Sequence, residues 1–310
     1  MPGVRTHAVP GWRAIVGHAL AAPVEQPSLW LLGALSFSLR GGIVLLLLPI
    51  IVLPTQVEVR LMIGTNLGSS GFTPAFYMGL AAATIFATGL VMVVLYSLAR
   101  LEMASYDRLT ADPELEVQPA RDPGARLRDL FVVQALSLIV LLLGAVPLAN
   151  GVGQWTYQEI INPSSAANLY DRVLAHLIPP LALVIVALPI IDSISAMWVR
   201  GLLSGKSVGS AFLGSVGTIV RRPIWFVAST VVAWLALALA VAGTDWALTI
   251  AWQATRAAYL STTSLNEMLS NIAPLLVAVL LAGVFVCGLA ICGYVSGFRN
   301  ALWTVTSLRS

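Results

Sequence analysis

The chain has 310 residues, of which 58% are hydrophobic and only 10% are charged, and its mean hydropathy is +0.88. An average soluble domain has about 25% charged residues, so this composition excludes a soluble globular domain, a disordered chain and a protein that wraps nucleic acid. The net charge of +3 is too small to favour a polyanionic partner, and two cysteines are too few for a disulfide framework. We therefore predict an all-α, polytopic transmembrane bundle that forms a single integral membrane domain over residues 1–310.

Six segments are long and apolar enough to be membrane spans, since a span needs about 20 mostly apolar residues to cross about 30 Å of hydrocarbon. In chain order they are residues 29–53, 75–99, 130–148, 173–198, 224–242 and 271–297. The first span is interrupted at Arg40, which two glycines follow. The fourth contains Pro179, Pro180 and Pro189, so we expect it to be bent or broken.

The basic residues favour one orientation of these spans. Thirteen of them lie in the N-terminus, the loop 100–129, the segment 199–223 and the C-terminus, which we call the arginine-rich side. Only three lie in the segments 54–74, 149–172 and 243–270 on the opposite side. By the positive-inside rule, both termini and the loop 100–129 are predicted to be cytosolic. The near absence of lysine indicates a bacterial protein, and thus the inner membrane.

Two short segments are typical of amphipathic helices at the membrane surface. Residues 12–20, before the first span, and residues 208–219, before the fifth, each place apolar side chains on one helical face. A proline and then a tryptophan follow each segment, at Trp30 and Trp225. Both residue types suit the start of a span at the headgroup boundary. Residues 245–260, rich in aromatic side chains, are expected to lie along the opposite surface.

The sequence contains none of the motifs that would predict catalysis. The three histidines, His7, His18 and His176, are too scattered to predict a metal site. Residues 201–207 resemble a phosphate-binding loop, but they have three residues between the two glycines where four are needed. We therefore expect a non-enzymatic protein without a metal, a cofactor, a nucleotide or a nucleic-acid partner.

Arg40 is the most informative residue of the sequence. It lies ten residues beyond Trp30, about 15 Å into the membrane at the helical rise. A charge at that depth usually faces other helices and pairs. Asp192, eight residues before Arg200, has a similar depth on the fourth span. We predict a buried Arg40–Asp192 ion pair, which could hold helices together or line a substrate or proton path; alternatively, Arg40 extends to water without a partner.

His176 is a secondary candidate, near the end of the fourth span that lies on the side opposite the arginines. The simpler interpretation is a neutral histidine at a hydrated helix end. The alternative is proton-coupled gating, although the only carboxylate on the same turn is Asp171.

Two spans contain small residues at four-residue spacing, which is typical of close helix packing. The second span has Gly79, Ala83 and Ala87, and the sixth has Gly293 and Gly297. We predict that both are packing faces, and they would also permit self-association.

Three segments resemble the membrane-domain family named after glycerophosphoryl diester phosphodiesterases and related six-span bacterial proteins. They are residues 27–33 (PSLWLLG), 221–225 (RRPIW) and 298–303 (FRNALW). The resemblance implies a six-span membrane domain. It implies no activity, because the phosphodiesterase activity of that family belongs to a separate soluble domain that this sequence lacks. Arg40 departs from the apolar first span expected of the family.

These observations favour an integral membrane protein that is a non-enzymatic scaffold or an accessory subunit of a membrane complex. The lipid bilayer and a membrane-protein partner, or a second copy, are its expected surroundings. The alternative is a small-solute or lipid transporter that uses the region of Arg40 and Asp192, since transport sites are often built at discontinuous helices. An intramembrane enzyme is the third possibility.

Overall fold

The computed structural model describes residues 11–51, 56–68, 71–111, 123–165, 167–261 and 267–308, and almost all of them are helical. The helices are α1 (Trp12–Glu25), α2 (Ser28–Phe37), α3 (Ile43–Leu47), α4 (Gln56–Asn66), α5 (Pro74–Thr110), α6 (Pro123–Ile161), α7 (Leu169–Leu203), α8 (Val208–Arg221), α9 (Pro223–Ser261) and α10 (Glu267–Leu308). A π-helical turn, Ser38–Gly42, connects α2 to α3. A two-residue antiparallel ladder pairs β1 (Leu67–Gly68) with β2 (Gly71–Phe72).

Within these ranges, six helical stretches are long and apolar enough to cross a membrane. One is the combined segment α2–α3, and the others belong to α5, α6, α7, α9 and α10. The prediction of a six-span helical membrane protein is therefore confirmed. The short helices α1 and α8 precede the first and fifth spans, as predicted.

Several helices are longer than the predicted spans, which corrects the sequence-based boundaries. Helix α5 continues through residues 100–110, and α6 already begins at Pro123, so only the middle of the predicted loop 100–129 lies outside the described helices. Residues 245–260 were expected along the surface, but they continue α9 without a break. Composition gave no helix-ending signal there, because neither segment 100–110 nor segment 245–260 contains a proline.

The two spans with possible helix breakers behave differently. In the first span, Gly41 has φ of 90° within the π-helical turn. Glycine adopts that left-handed conformation without steric cost, so the predicted interruption beside Arg40 is confirmed. In the fourth span, α7 is helical from Leu169 to Leu203 despite three internal prolines, so the helix is not broken there, and the predicted bend stays a prediction.

The chain forms two compact units. Unit 1 comprises residues 1–51, 98–130 and 196–310, and unit 2 comprises residues 52–97 and 131–195. Helices α5, α6 and α7 each contribute residues to both units, so the units are not consecutive stretches of sequence.

Unit 1 is organised around α10, which packs against α1, α2 and α9. Gly33 of α2 lies so close to α10 that an added Cβ would be 2.1 Å from the carbonyl oxygen of Gly293 and 2.8 Å from the amide nitrogen of Gly297. The predicted packing face at Gly293 and Gly297 is therefore confirmed, and its partner is a third glycine. The absence of side chains lets the two backbones approach closely.

The apolar face of α1 packs on protein. Ile15 and Ala19 are fully buried in one cluster with Ala301 and Leu302 of α10. The indole nitrogen of Trp12 donates a hydrogen bond to Ser229 Oγ at 3.2 Å. Helix α1 therefore belongs to the core of unit 1, while its Leu20 and Val24 are exposed apolar side chains.

Unit 2 contains the hairpin of α6 and α7 and the first part of α5. Leu169, Val173 and Leu177 of α7 form a buried cluster against Leu148 and Trp155 of α6. By contrast, α5 is exposed at every residue from Tyr77 to Val93.

Candidate functional site

The main candidate site is a charge network in unit 1, formed by Arg40, Glu102 and Arg200. Glu102, in the second half of α5, is only 3% exposed. Its Oε1 accepts a hydrogen bond from Arg40 Nη2 at 2.6 Å, and its Oε2 accepts one from Arg200 Nη1 at 2.5 Å. Both oxygens of one carboxylate are thus used by two guanidinium groups.

The two arginines of the charge network differ in their surroundings. Arg200, near the end of α7, is 1% exposed, and its Nη2 donates a second hydrogen bond to Asn300 Oδ1 of α10 at 3.2 Å. Arg40 lies in the π-helical turn, and its side chain is 40% exposed. The network therefore joins the segment between α2 and α3 to α5, α7 and α10.

Next to Asn300, a further arginine stabilises the same part of unit 1. The guanidinium carbon of Arg299 lies 5.0 Å from the ring centroid of Trp234 in α9, a cation–π contact. Such contacts are strongest where the cation is removed from water, and Arg299 is 9% exposed.

The charge network holds these helices together. Removing charges from water costs several kcal/mol per ion, and paired groups recover this cost only with good geometry and additional hydrogen bonds. Glu102 has two charge-assisted hydrogen bonds at short distances, and Arg200 has an additional amide acceptor. Loss of Glu102 would leave the buried guanidinium of Arg200 without its carboxylate partner.

The structure gives Arg40 a partner that the sequence analysis missed. Glu102 lies within the predicted cytosolic loop 100–129, and Arg200 enters the sequence analysis only as a reference for the depth of Asp192. The missed signal was the helical phase of Glu102: it follows the end of the second span within one turn, before any helix breaker. Asp192, the predicted partner, is partly buried in unit 2, whereas Arg40 belongs to unit 1, and the Arg40–Asp192 pair stays a prediction.

A second charged cluster lies in unit 2 and includes His176. Glu159, near the end of α6, has a side chain that is 4% exposed. Its Oε2 lies 2.8 Å from Arg172 Nε and accepts a hydrogen bond from the Ser164 amide at 2.9 Å, and its Oε1 lies 3.2 Å from His176 Nε2. The imidazole stacks on the Trp155 ring, with centroids 3.9 Å apart.

Arg172 also holds the connection between α6 and α7. Its Nη1 donates to the carbonyl oxygens of Ser165 and Ala167, and its Nη2 donates to the Glu159 carbonyl at 3.2 Å. The sequence analysis considered carboxylates only on the same turn as His176, and therefore missed Glu159 on the preceding helix. The cluster fixes the hairpin, and its only half-exposed titratable member is His176.

Neither cluster has the composition of a metal centre. Among the described residues, no three histidine, cysteine or acidic side chains lie close enough together to hold a metal ion. An open cleft of about 420 Å³ lies beside α5. Its lining consists of Asn66, Ala75, Phe76, Gly79, Leu80 and Ala83.

No protein-family model matches the chain, and searches of curated proteins and of solved structures found no significant match. The resemblance to the membrane domains named after glycerophosphoryl diester phosphodiesterases consequently stays a prediction.

Proposed function

We propose that this chain is a non-enzymatic scaffold or accessory subunit that binds a transmembrane helix of a partner protein in a membrane complex. The observation on which this proposal depends is the exposed half of α5, which we define as residues Tyr77–Val93. These 17 consecutive residues are all exposed, and they span about 26 Å at the helical rise. That length is close to the hydrocarbon thickness of a bilayer, about 30 Å.

A span exposed all round contacts either lipid or another protein. The exposed half of α5 presents Gly79, Ala83 and Ala87 on one face, together with large side chains such as Phe86 beside them. An added Cβ at Gly79 would meet nothing within 4 Å. Small residues at this spacing permit the close backbone approach that drives helix association where both surroundings are apolar.

The charged clusters support a cohesive function. A substrate site needs polar groups that a ligand can reach, whereas both oxygens of Glu102 and both oxygens of Glu159 contact groups of the chain itself. These contacts leave the carboxylates engaged in joining helices. The accessible surface that remains along the spans is mostly apolar, which suits a partner helix better than a polar solute.

The proposed setting is the bacterial inner membrane, with both termini and the arginine-rich side in the cytosol. The thirteen-to-three distribution of basic residues supports this orientation. The two helices α1 and α8 would then lie at the cytosolic boundary, each followed by a tryptophan near the start of a span.

The proposal is tested by native extraction into lipid nanodiscs, followed by mass spectrometry of all co-purified components. We expect a partner at fixed ratio in the wild type and a loss of most of that partner in Ala83→Leu, because the larger side chain prevents close approach. Ala81→Leu is the matched control. It makes the same change two residues away, about 200° around the same exposed helix.

Equal partner retention in Ala83→Leu and Ala81→Leu would contradict the assignment of this face. An empty, monodisperse particle in the wild type, extracted from its native membrane, would contradict the scaffold proposal as a whole. Self-association would instead give a particle with two copies and no other protein.

Transport is the second candidate, and the π-helical turn favours it. Gly41 breaks the regular helix at φ of 90°, directly after Arg40, whose side chain is 40% exposed. Discontinuous helices at such depth are common in transporter sites. The same nanodisc experiment distinguishes this candidate: a single enriched lipid or solute, absent from folded Arg40→Ala, would favour transport.

A further inference from the structure

Asp245 is an acidic residue in the fifth span that neither charged cluster includes. It lies in α9, 22 residues beyond Pro223, which corresponds to about 33 Å of helix. Because the hydrocarbon core is about 30 Å thick, Asp245 lies near the end of the span that is remote from the arginine-rich side. The neighbouring Trp246 is exposed, as expected for an aromatic residue at that boundary.

One oxygen of this carboxyl group is sealed within unit 1. Asp245 is partly buried, and its Oδ1 is inaccessible to solvent and has no hydrogen-bond donor. The adjacent Thr244 packs tightly on α10, since an added Cβ at Gly288 would lie 2.0 Å from Thr244 Cγ2. The Thr244 hydroxyl donates its hydrogen to the Ala240 carbonyl at 2.8 Å, within the same helix, and not to Asp245.

An apolar cluster lies close to Asp245 along α9. Leu248, one turn further along α9, is fully buried in a cluster with Leu46 of α3 and Cys292 of α10. The thiol of Cys292 is the one titratable group of these neighbours that interacts with Asp245. Among the described residues, no basic side chain pairs with Asp245; Arg256 of the same helix is three turns away.

Asp245 differs from the buried carboxylates Glu102 and Glu159 in its partners. Glu102 is bound by two arginines, and Glu159 by an arginine, a backbone amide and a histidine. An ionised carboxylate needs such compensation, because burial of an unpaired charge costs far more than burial of a neutral polar group. Asp245 has no such compensation among its described neighbours.

We propose that Asp245 is a proton-binding site of this protein, occupied at neutral pH. The carboxylate takes one proton from water on the side remote from the arginine-rich loops and becomes a neutral acid. Release returns that proton to water, and no other bond changes. Ionisable residues within spans commonly mark proton and ion pathways, so the site gives the chain a capacity that a purely structural subunit does not need.

Dicyclohexylcarbodiimide tests this proposal, because this apolar reagent adds to carboxyl groups that hold a proton. The wild-type protein is treated in lipid nanodiscs at about pH 7, digested, and mapped by mass spectrometry. An ordinary exposed aspartate holds a proton in about one molecule in a thousand at that pH. We expect the Asp245 peptide to acquire at least about tenfold more adduct than the peptides of Glu102 and Glu159.

Protonation and mere reagent access give different pH dependence. The Asp245 adduct should fall as the pH is raised, because the acid form becomes scarcer, and it should be absent in Asp245→Asn. Equal labelling of Asp245, Glu102 and Glu159, an adduct that does not change with pH, or an unlabelled Asp245 would each overturn the proposal. Because the wild-type peptides supply the comparison, the test does not require the variant to fold.

Discussion

The two halves of α5 have opposite surroundings. From Leu98 to Leu109, in unit 1, the helix has a buried face that includes Ala99 and Glu102. From Tyr77 to Val93, in unit 2, every residue is exposed. The first stretch is bound to its neighbours by charge and packing, whereas the second is a complete membrane span without a covered face.

The difference indicates that the buried half of α5 stabilises the fold and that the exposed half is available for association. In lipid, apolar exposure is not penalised, because the acyl chains are as apolar as leucine. The exposed half of α5 can therefore persist without neighbours, while the ordering of the helices depends on specific contacts such as the charge network. Mutations in the buried half should lower the free energy of unfolding, whereas mutations in the exposed half should not lower it appreciably and should instead change association.

The largest effect is expected for Glu102→Ala. This change leaves two arginines without their shared carboxylate, and breaking a buried pair typically costs about 3–5 kcal/mol. The free energy of unfolding in mixed detergent micelles would measure it. The control is Asp107→Ala, on the same helix, where a 55%-exposed carboxylate lies 3.1 Å from Arg126; surface pairs of this kind contribute about 0–1 kcal/mol. Equal losses in the two variants would disprove the special importance of the buried pair.

A pair of leucine truncations compares packing directly. Leu98 is 7% exposed and Leu90 is 54% exposed, and the two lie on the same helix. Leu98→Ala should lower the free energy of unfolding by about 2–3 kcal/mol, because it removes van der Waals contacts and leaves a cavity. Leu90→Ala should change it by no more than about 0.5 kcal/mol. If Leu90→Ala proves equally destabilising in purified protein, the exposed half must have a packed neighbour, and the comparison fails.

Composition and periodicity were sufficient to predict the architecture. The apolar runs are long and contain few charges, so the six spans followed from the sequence. The two preceding helices followed from the periodicity of their apolar residues. The ends of the helices did not follow, because α5 and α9 continue through residues 100–110 and 245–260, which contain no proline. Once a long helix is nucleated, each further residue adds a hydrogen bond at little cost.

The charge network was only half predictable. The depth of Arg40 predicted a buried partner, but depth alone does not distinguish two acidic residues on different helices. Glu102 lies in the predicted loop 100–129, where the residues that follow it are hydrophilic, although its own side chain is on the buried face of α5. Single-sequence reasoning gives the depth of a residue along a span, while its rotation towards a neighbour depends on tertiary packing.

The smallest effects separate the two small-residue faces. Gly33→Ala places a Cβ 2.1 Å from a backbone oxygen of α10, so α2 and α10 must move apart to accommodate it. Overpacking of this kind costs about 1–3 kcal/mol. Gly79→Ala meets no atom within 4 Å, and it should stabilise α5 by at most about 1 kcal/mol, because alanine favours a helix more than glycine does.

In thermal unfolding of the purified protein, we expect Gly33→Ala to lower the melting temperature and Gly79→Ala to raise it. A destabilised Gly79→Ala would mean that α5 already packs closely against another helix in that preparation. Measured again in nanodiscs extracted from the native membrane, Gly79→Ala would then report on the partner. If Gly79→Ala stabilises the protein in detergent but destabilises it in the complex, the partner helix lies on the face of Gly79 and Ala83. One added methyl group can overpack a face only when another helix occupies it.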